Sequence, residues 1–182
     1  MIEMRFHGRG GQGAVTSAEL VAQAAIDTGK YATAFPSFGP ERRGAPVVAF
    51  ARVDDKPVRI RSKVYNPDVV IVLDPSLVEI SNPVEGLHEK GILIINSTQD
   101  PATIRKRLSY SGRLAVVDAS LIAKEVIGLP ITNTTMIGAL VKGANLLSVD
   151  ALKEPFKRRF GKIASRNIEA MRRAWEETKI VE

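Results

Sequence analysis

The sequence predicts an α/β fold: a mostly parallel sheet with helices on both faces and a small antiparallel insertion. Three observations predict it. Residues 69–73 (Val-Val-Ile-Val-Leu), 92–95 (Ile-Leu-Ile-Ile) and 114–117 (Leu-Ala-Val-Val) are continuous apolar runs without alternation, the pattern of parallel strands covered on both faces. Helical patterns lie between these runs, so strands and helices alternate as in βαβ units. The chain opens with an apolar strand (Ile2, Met4, Phe6), the loop Gly8-Arg9-Gly10-Gly11-Gln12-Gly13 and an alanine-rich stretch, Ala14–Asp27. Strand, glycine loop and helix in that order make the fold Rossmann-like.

Taken in order, Asp27 precedes Gly29 and falls in the last turn of the first helix. Residues 31–37, 45–53 and 57–62 then read as strands, with Asp54-Asp55-Lys56 as the hairpin turn between the last two. These strands form the antiparallel insertion, and Arg59, Arg61 and Lys63 alternate onto one face of the third. The three buried runs end in Asp74, Asn96 and Asp118. Each is a cap for the next helix or turn, and each lies on the edge where such sheets bind ligands. Asn133 or Thr134 caps a helix through Met136, Ile137, Ala139, Leu140 and Val141. Gly138 and Gly143 weaken that helix and admit a close neighbour. Ser148 caps another helix, which Pro155 ends or kinks. In the last helix Ala164, Ile168, Met171 and Trp175 form a buried stripe. No linker or repeat divides the chain, so residues 1–182 are read as one domain.

Composition narrows the function. With no cysteine among 182 residues, the chain has no disulfide, no thiol nucleophile and no cysteine-ligated iron–sulfur cluster. His7 and His88 are far apart, and nothing suggests a metal site or a catalytic residue. His7, at the end of the first strand, reads as a packed residue rather than an acid–base catalyst. The net charge is +6, and residues 151–182 hold nine Lys or Arg against five Glu. Those charges are mixed along helices, the mark of a solvated face, and no aromatic platform is interleaved with them. Nucleic acid is therefore not an expected partner. There is no signal-peptide pattern and no apolar run approaching the ~20 residues of a membrane span, so the expected compartment is the cytoplasm.

Gly8, Gly10 and Gly13 satisfy G-x-G-x-x-G. Such a loop offers backbone N–H groups and a helix N-terminus to a phosphate; equally, it can be a tight turn and nothing more. A dinucleotide site would carry an acidic residue about 20 residues on, to hold the ribose. Residues 31–37 carry none, and Ala14 and Val15 stand where a P-loop needs Lys and Ser or Thr. Two other function classes remain open: a stand-alone nucleotide-dependent oxidoreductase, and a purely structural assembly subunit.

Three segments together meet a known family: His7-Gly8-Arg9-Gly10-Gly11-Gln12-Gly13; Phe35-Pro36-Ser37-Phe38-Gly39-Pro40-Glu41-Arg42-Arg43-Gly44-Ala45-Pro46; and Asn133-Thr134-Thr135-Met136-Ile137-Gly138-Ala139. In order and spacing they resemble the gamma subunit of the 2-oxoacid:ferredoxin oxidoreductases; the pyruvate synthase branch is the nearest fit, and the branched-chain 2-oxoacid enzymes are similar to it. The resemblance implies a multi-subunit enzyme of anaerobic metabolism that converts a 2-oxoacid and CoA to acyl-CoA and CO2 while reducing ferredoxin. Its thiamine diphosphate, Mg and iron–sulfur clusters would sit on other subunits. It implies alpha, beta and delta subunits as partners, with ferredoxin met only through them; an apolar partner surface left uncovered in the isolated chain would pair it into a homodimer.

For this chain the resemblance implies CoA contact and subunit packing. Gly10, Gly11 and Gly13 would let the backbone approach a CoA phosphate, with Arg9 or Arg42 supplying charge. Gly8, Gln12, Phe38, Gly39, Glu41, Arg43, Asn133 and Thr134 complete the expected binding set. Phe38-Gly39-Pro40 reads as a tight turn that projects Glu41, Arg42 and Arg43. The two arginines suit phosphate or a partner's carboxylate, unless Glu41 pairs with one of them internally.

Overall fold

The computed structural model describes residues 1–37 and 43–182. Its sheet has seven strands: β1 (Ile2–Arg9), β2 (Tyr31–Pro36), β3 (Pro46–Asp54), β4 (Val69–Val72), β5 (Ile92–Asn96), β6 (Arg113–Val117) and β7 (Lys179–Val181). The spatial order is β2-β3-β1-β4-β5-β6-β7. The four central strands, β1, β4, β5 and β6, are parallel, and β2, β3 and β7 join antiparallel. The three apolar runs are thus central parallel strands, buried on both faces.

One face carries the larger core. The helices there are α1 (Ala14–Asp27), α3 (Ala119–Val126), α4 (Asn133–Ala144), α5 (Lys153–Phe160) and α6 (Ala164–Glu177). Their apolar residues meet Met4, Phe6, Ile71, Ile94 and Ala115 of the sheet. The other face is covered by α2 (Pro101–Leu108) and a short 3-10 turn, Pro75–Glu79, over Val70, Val72, Leu93 and Ile95. Helices therefore lie on both faces, as the sequence pattern implies. Alanines let α1 sit close to the sheet: Ala14, Ala18, Ala24 and Ala25 are all buried. The helix closes where Gly29 (φ +89°) allows its N–H to reach Ile26 O and that of Lys30 to reach Ala25 O, a Schellman ending.

Several sequence expectations change. Residues 57–62 are not a strand; the hairpin partner of β3 is β2, paired Tyr31 with Asp54 through Pro36 with Ala49. The apolar–basic alternation of 58–61 imitated a half-buried strand. Arg59, Arg61 and Lys63 do not share a sheet face and are simply exposed. The segment is instead tied down by the buried Arg52, whose Nη atoms donate to Ile60 O and Lys63 O while Nε donates to Glu3 at 2.5 Å. Pro155 neither ends nor kinks a helix: it lies in the first turn of α5, where a missing N–H costs nothing. Ser148 does accept from Ala151 N–H, at 3.2 Å, ahead of that helix. Neither Asn133 nor Thr134 caps α4, which begins after Thr132 without a side-chain cap. In α6 the buried stripe is Ala164, Asn167, Ala170, Met171 and Ala174, and Trp175 is 40% exposed. The helix turns its small residues inward because α4 approaches so closely there.

Candidate functional site

β1 is flanked by antiparallel β3 on one side and parallel β4 on the other. The chain leaves β1 along one face and returns to the opposite half of the sheet, so the crevice beyond the carboxyl ends of β1 and β4 is the topological switch point. The glycine loop occupies it.

Each loop glycine has its own reason. Gly8 packs against α1: a Cβ there would lie 3.1 Å from Ala14 Cβ. The Gly10 N–H donates to Ala45 O and its carbonyl accepts from Gly44 N–H, stitching the loop to residues 43–45. Gly13 has φ +82°, and a Cβ would fall 2.6 Å from the Asn133 side-chain nitrogen. Gly11 has φ +91° and open space where a Cβ would stand. Of Gly8, Gly11 and Gly13, it is Gly11 whose missing side chain leaves room for something from outside.

The loop is braced from within. The Gln12 side chain folds back: its Oε1 accepts from Arg9 N–H at 2.7 Å and its Nε2 donates to Asp74 at 2.7 Å. Arg9 reaches out of the strand end to Asp74, Gly44 O and Ser76 Oγ. Burial opposes ionisation of Asp74, but hydrogen bonds from Ser76 and Gln12 and the charge of Arg9 outweigh it, and its pKa is lowered. Asp74 also accepts from Ser76 N–H and so caps the 3-10 turn. Asp74 thus joins two strand ends, a role that only the fold reveals. Asn96 and Asp118 do local work: Asn96 binds Leu73 O and Ser120, and Asp118 caps α3.

Gly13 precedes α1 in a left-handed conformation without a side-chain cap. The N–H groups of Ala14, Val15 and Thr16 therefore have no partner within the helix and face the end of the loop. The neutral His7, one residue before the loop, accepts from Arg5 Nε at 3.0 Å. Burial, then the Arg5 charge, pushes its pKa down to about 3, so it is a packed acceptor and no proton shuttle near neutrality.

Among the residues expected at the site, Gly8, Arg9, Gly10, Gly11, Gln12 and Gly13 come together with Asn133, and Arg43 bridges to Gly10. Thr134 points elsewhere, donating to Asn167 between α4 and α6 at 2.7 Å. Phe38, Gly39, Glu41 and Arg42 lie outside the described residues. Asp74 lies on the same edge as the loop, as the sequence implies; its contacts to Arg9 and Gln12, and the neighbouring Ser76, are what sequence reasoning missed, because the Asp-Pro-Ser run carries only a cap signal. Beyond β4, β5 and β6 lies a polar cleft of about 360 Å³ lined by Ser76, Asn96, Ser97, Thr98, Asp118 and Ser120. Among the described residues no group of three or more His, Cys, Asp or Glu could hold a metal, and no helix is long and apolar enough to cross a membrane.

The family model for pyruvate ferredoxin/flavodoxin oxidoreductase matches residues 3–177. The chain belongs to that family. It is a gamma-type member, as its full-length relatives show. The Pyrococcus furiosus pyruvate/ketoisovalerate oxidoreductases common subunit gamma is 49% identical over 100% of both chains. Pyruvate synthase subunit PorC of Methanothermobacter thermautotrophicus (strain Delta H) is 50% identical over 97% of this chain and 96% of its own. The crystal structure of pyruvate oxidoreductase subunit PORC (EC 1.2.7.1) from Thermotoga maritima superposes with a TM-score of 0.90 at 40% identity, covering 100% of this chain and 98% of that one. The Thermotoga chain thus shares this fold over its whole length.

Proposed function

We propose that this chain is the gamma subunit of a pyruvate-type 2-oxoacid:ferredoxin oxidoreductase and that its glycine loop receives a CoA phosphate. The assembly converts 2-oxoacid and CoA to acyl-CoA and CO2, with the electrons passing to ferredoxin. The full-length match to gamma subunits carries the first half of this reading. Lacking cysteine, the chain leaves cysteine-bound clusters, and with them electron transfer, to the alpha, beta and delta chains. Thiamine diphosphate and Mg belong there too.

The loop's place at the switch point carries the second half. A phosphate oxygen above Gly11 meets the uncapped start of α1, where N–H groups and the helix dipole favour an anion. Arg43, exposed beside Gly10, supplies charge. Arg9 is held by Asp74, Ser76 and Gly44, so its part is to fix the loop's shape. The neighbouring polar cleft offers hydroxyl and amide partners to the amide-bearing arm of CoA.

The test uses the reconstituted complex with Gly11→Ala in this subunit. The methyl group enters the space above the loop, and the apparent KM for CoA should rise about tenfold, the loss of one charge-assisted hydrogen bond. Decarboxylation measured without CoA should be unchanged. Arg43→Ala should raise the same KM and reduce its dependence on salt. Unchanged CoA kinetics in a stable Gly11→Ala complex would make the loop a packing turn and leave assembly as this chain's role.

A further inference from the structure

The two edges of the sheet are unlike. β7 is three residues long and begins with Lys179, short and charged as protected edges are. β2 is a regular six-residue strand, Tyr-Ala-Thr-Ala-Phe-Pro, with no charged side chain. Among the described residues nothing pairs with its outer side.

The parity of that edge follows from one bond. Ser37 N–H donates to Val48 O at 2.7 Å, and in the β2–β3 register the odd-numbered residues of β2 share that phase. Tyr31, Thr33 and Phe35 therefore spend their backbone groups on β3. Ala32 and Ala34 direct N–H and C=O outward, and Pro36, which has no N–H to offer, takes the next outward position. A proline at that position is what an edge strand tolerates.

The side chains of Ala32 and Ala34 turn to the α1 side and floor a groove of about 490 Å³. α1 supplies the facing wall with Thr16, Gln23 and the half-exposed Ile26, and α5 the rim with Arg158 and Arg159. Arg158 is neutralised by Asp27. Arg159 pairs with no carboxylate among the described residues, whereas Lys157 in the same turn is paired with Glu154 at 2.6 Å. Glu19 also lines the groove, towards the α1 start.

We propose that β2 is a pairing edge for an extended segment of a partner subunit, which adds an eighth strand to the sheet. The segment places small apolar side chains in the groove and an acidic side chain against Arg159. Backbone pairing supplies affinity and the alternate pockets supply specificity, as in other strand additions. A second copy of this chain fits less well, because it would bring to the groove another Arg159 rather than the acidic side chain that Arg159 calls for. The inference rests on the gamma-subunit reading and goes further by naming the surface used.

Hydrogen exchange on the isolated chain and on the reconstituted complex tests it residue by residue. The Ala32 and Ala34 amides should exchange freely in the isolated chain and at least about tenfold more slowly in the complex, while Thr33 and Phe35 are protected in both. Ala34→Pro removes an outward N–H without touching a β3 bond, and Arg159→Glu reverses the rim charge far from the backbone. Either should weaken assembly about tenfold or more, the Arg159→Glu loss being smaller at high salt. If the complex forms with Ala32 and Ala34 still exchanging freely, the β2 inference falls and the subunit reading stands. If no complex forms with the unaltered chain, the subunit reading falls and takes this one with it. Concentration-dependent protection in the isolated chain would assign the edge to self-pairing and overturn the partner proposed here.

Discussion

His7 makes the stability of this chain depend on pH in a window where few of its other groups titrate. The imidazole is 7% exposed and accepts a hydrogen bond from the permanently charged Arg5. Its folded pKa lies near 3 against an unfolded value of 6.5. Above 6.5 both states hold the ring neutral and it contributes nothing to the pH dependence. Below 6.5 the unfolded chain takes up a proton that the folded chain refuses, so stability falls as pH falls, by up to about 1.4 kcal/mol per pH unit, until the folded ring titrates near 3. Between pH 7 and pH 5 the loss comes to about 2 kcal/mol. The lowered carboxylates, Asp74 and Asp100 among them, act in the same direction, but only as pH falls through the carboxylate range. Urea unfolding of the isolated chain, followed by Trp175 fluorescence at fixed protein concentration, reads this directly. The midpoint should drop from pH 7 to pH 5 with an unchanged slope. His7→Gln keeps an acceptor for Arg5 and removes the titration, so its midpoint should stay level over that range. Equal pH dependence in the two proteins would refute the assignment to His7.

Other outcomes follow from the same geometry. Gly11→Ala meets no atom and should cost about 1–2 kcal/mol, the conformational penalty of a positive φ alone. Gly13→Ala must also displace Asn133 and should be the less stable of the two in thermal melts. Arg52→Met releases the carbonyls of Ile60 and Lys63, so trypsin should cleave at Arg59, Arg61 or Lys63 much faster than in the unaltered chain, with fragments read by mass spectrometry. The purified chain should show no iron–sulfur absorbance and no ferredoxin-linked pyruvate oxidation without its partner subunits; either signal would contradict the division of labour proposed above.

Much of the fold is written in local patterns. Buried parallel strands demand uninterrupted apolar runs, and 69–73, 92–95 and 114–117 supply them. The glycine loop is equally visible, because a strand–glycine–helix order leaves few alternatives. What escapes the sequence is set by long-range side-chain contacts. Val58-Arg59-Ile60-Arg61 has the rhythm of a strand, yet its placement is fixed by Arg52 reaching its carbonyls from β3. Trp175 has the spacing of a core residue, but Gly138 brings α4 so close to α6 that small side chains take the inside. At the site, the sequence points to the glycines and misses the brace. Arg9 and Asp74 are 65 positions apart; the strand ends put them on one edge, but nothing local to either predicts the ion pair.

Gly138 has a mechanical consequence. A Cβ at that position would stand 2.0 Å from the carbonyl oxygen of Met171, so α4 and α6 touch main chain to main chain. Side chains can change rotamer to let two helices slide; bare backbones cannot, and close-packed interiors transmit displacement rather than absorb it. The first residue of α4, Asn133, is pressed against Gly13, and Ser17 of α1 donates to Asn133 O. The helix is therefore a rigid strut spanning from the C-terminal helix to the mouth of the loop, and a push on the exposed side of α6 would arrive at Gly13 with little of it lost on the way.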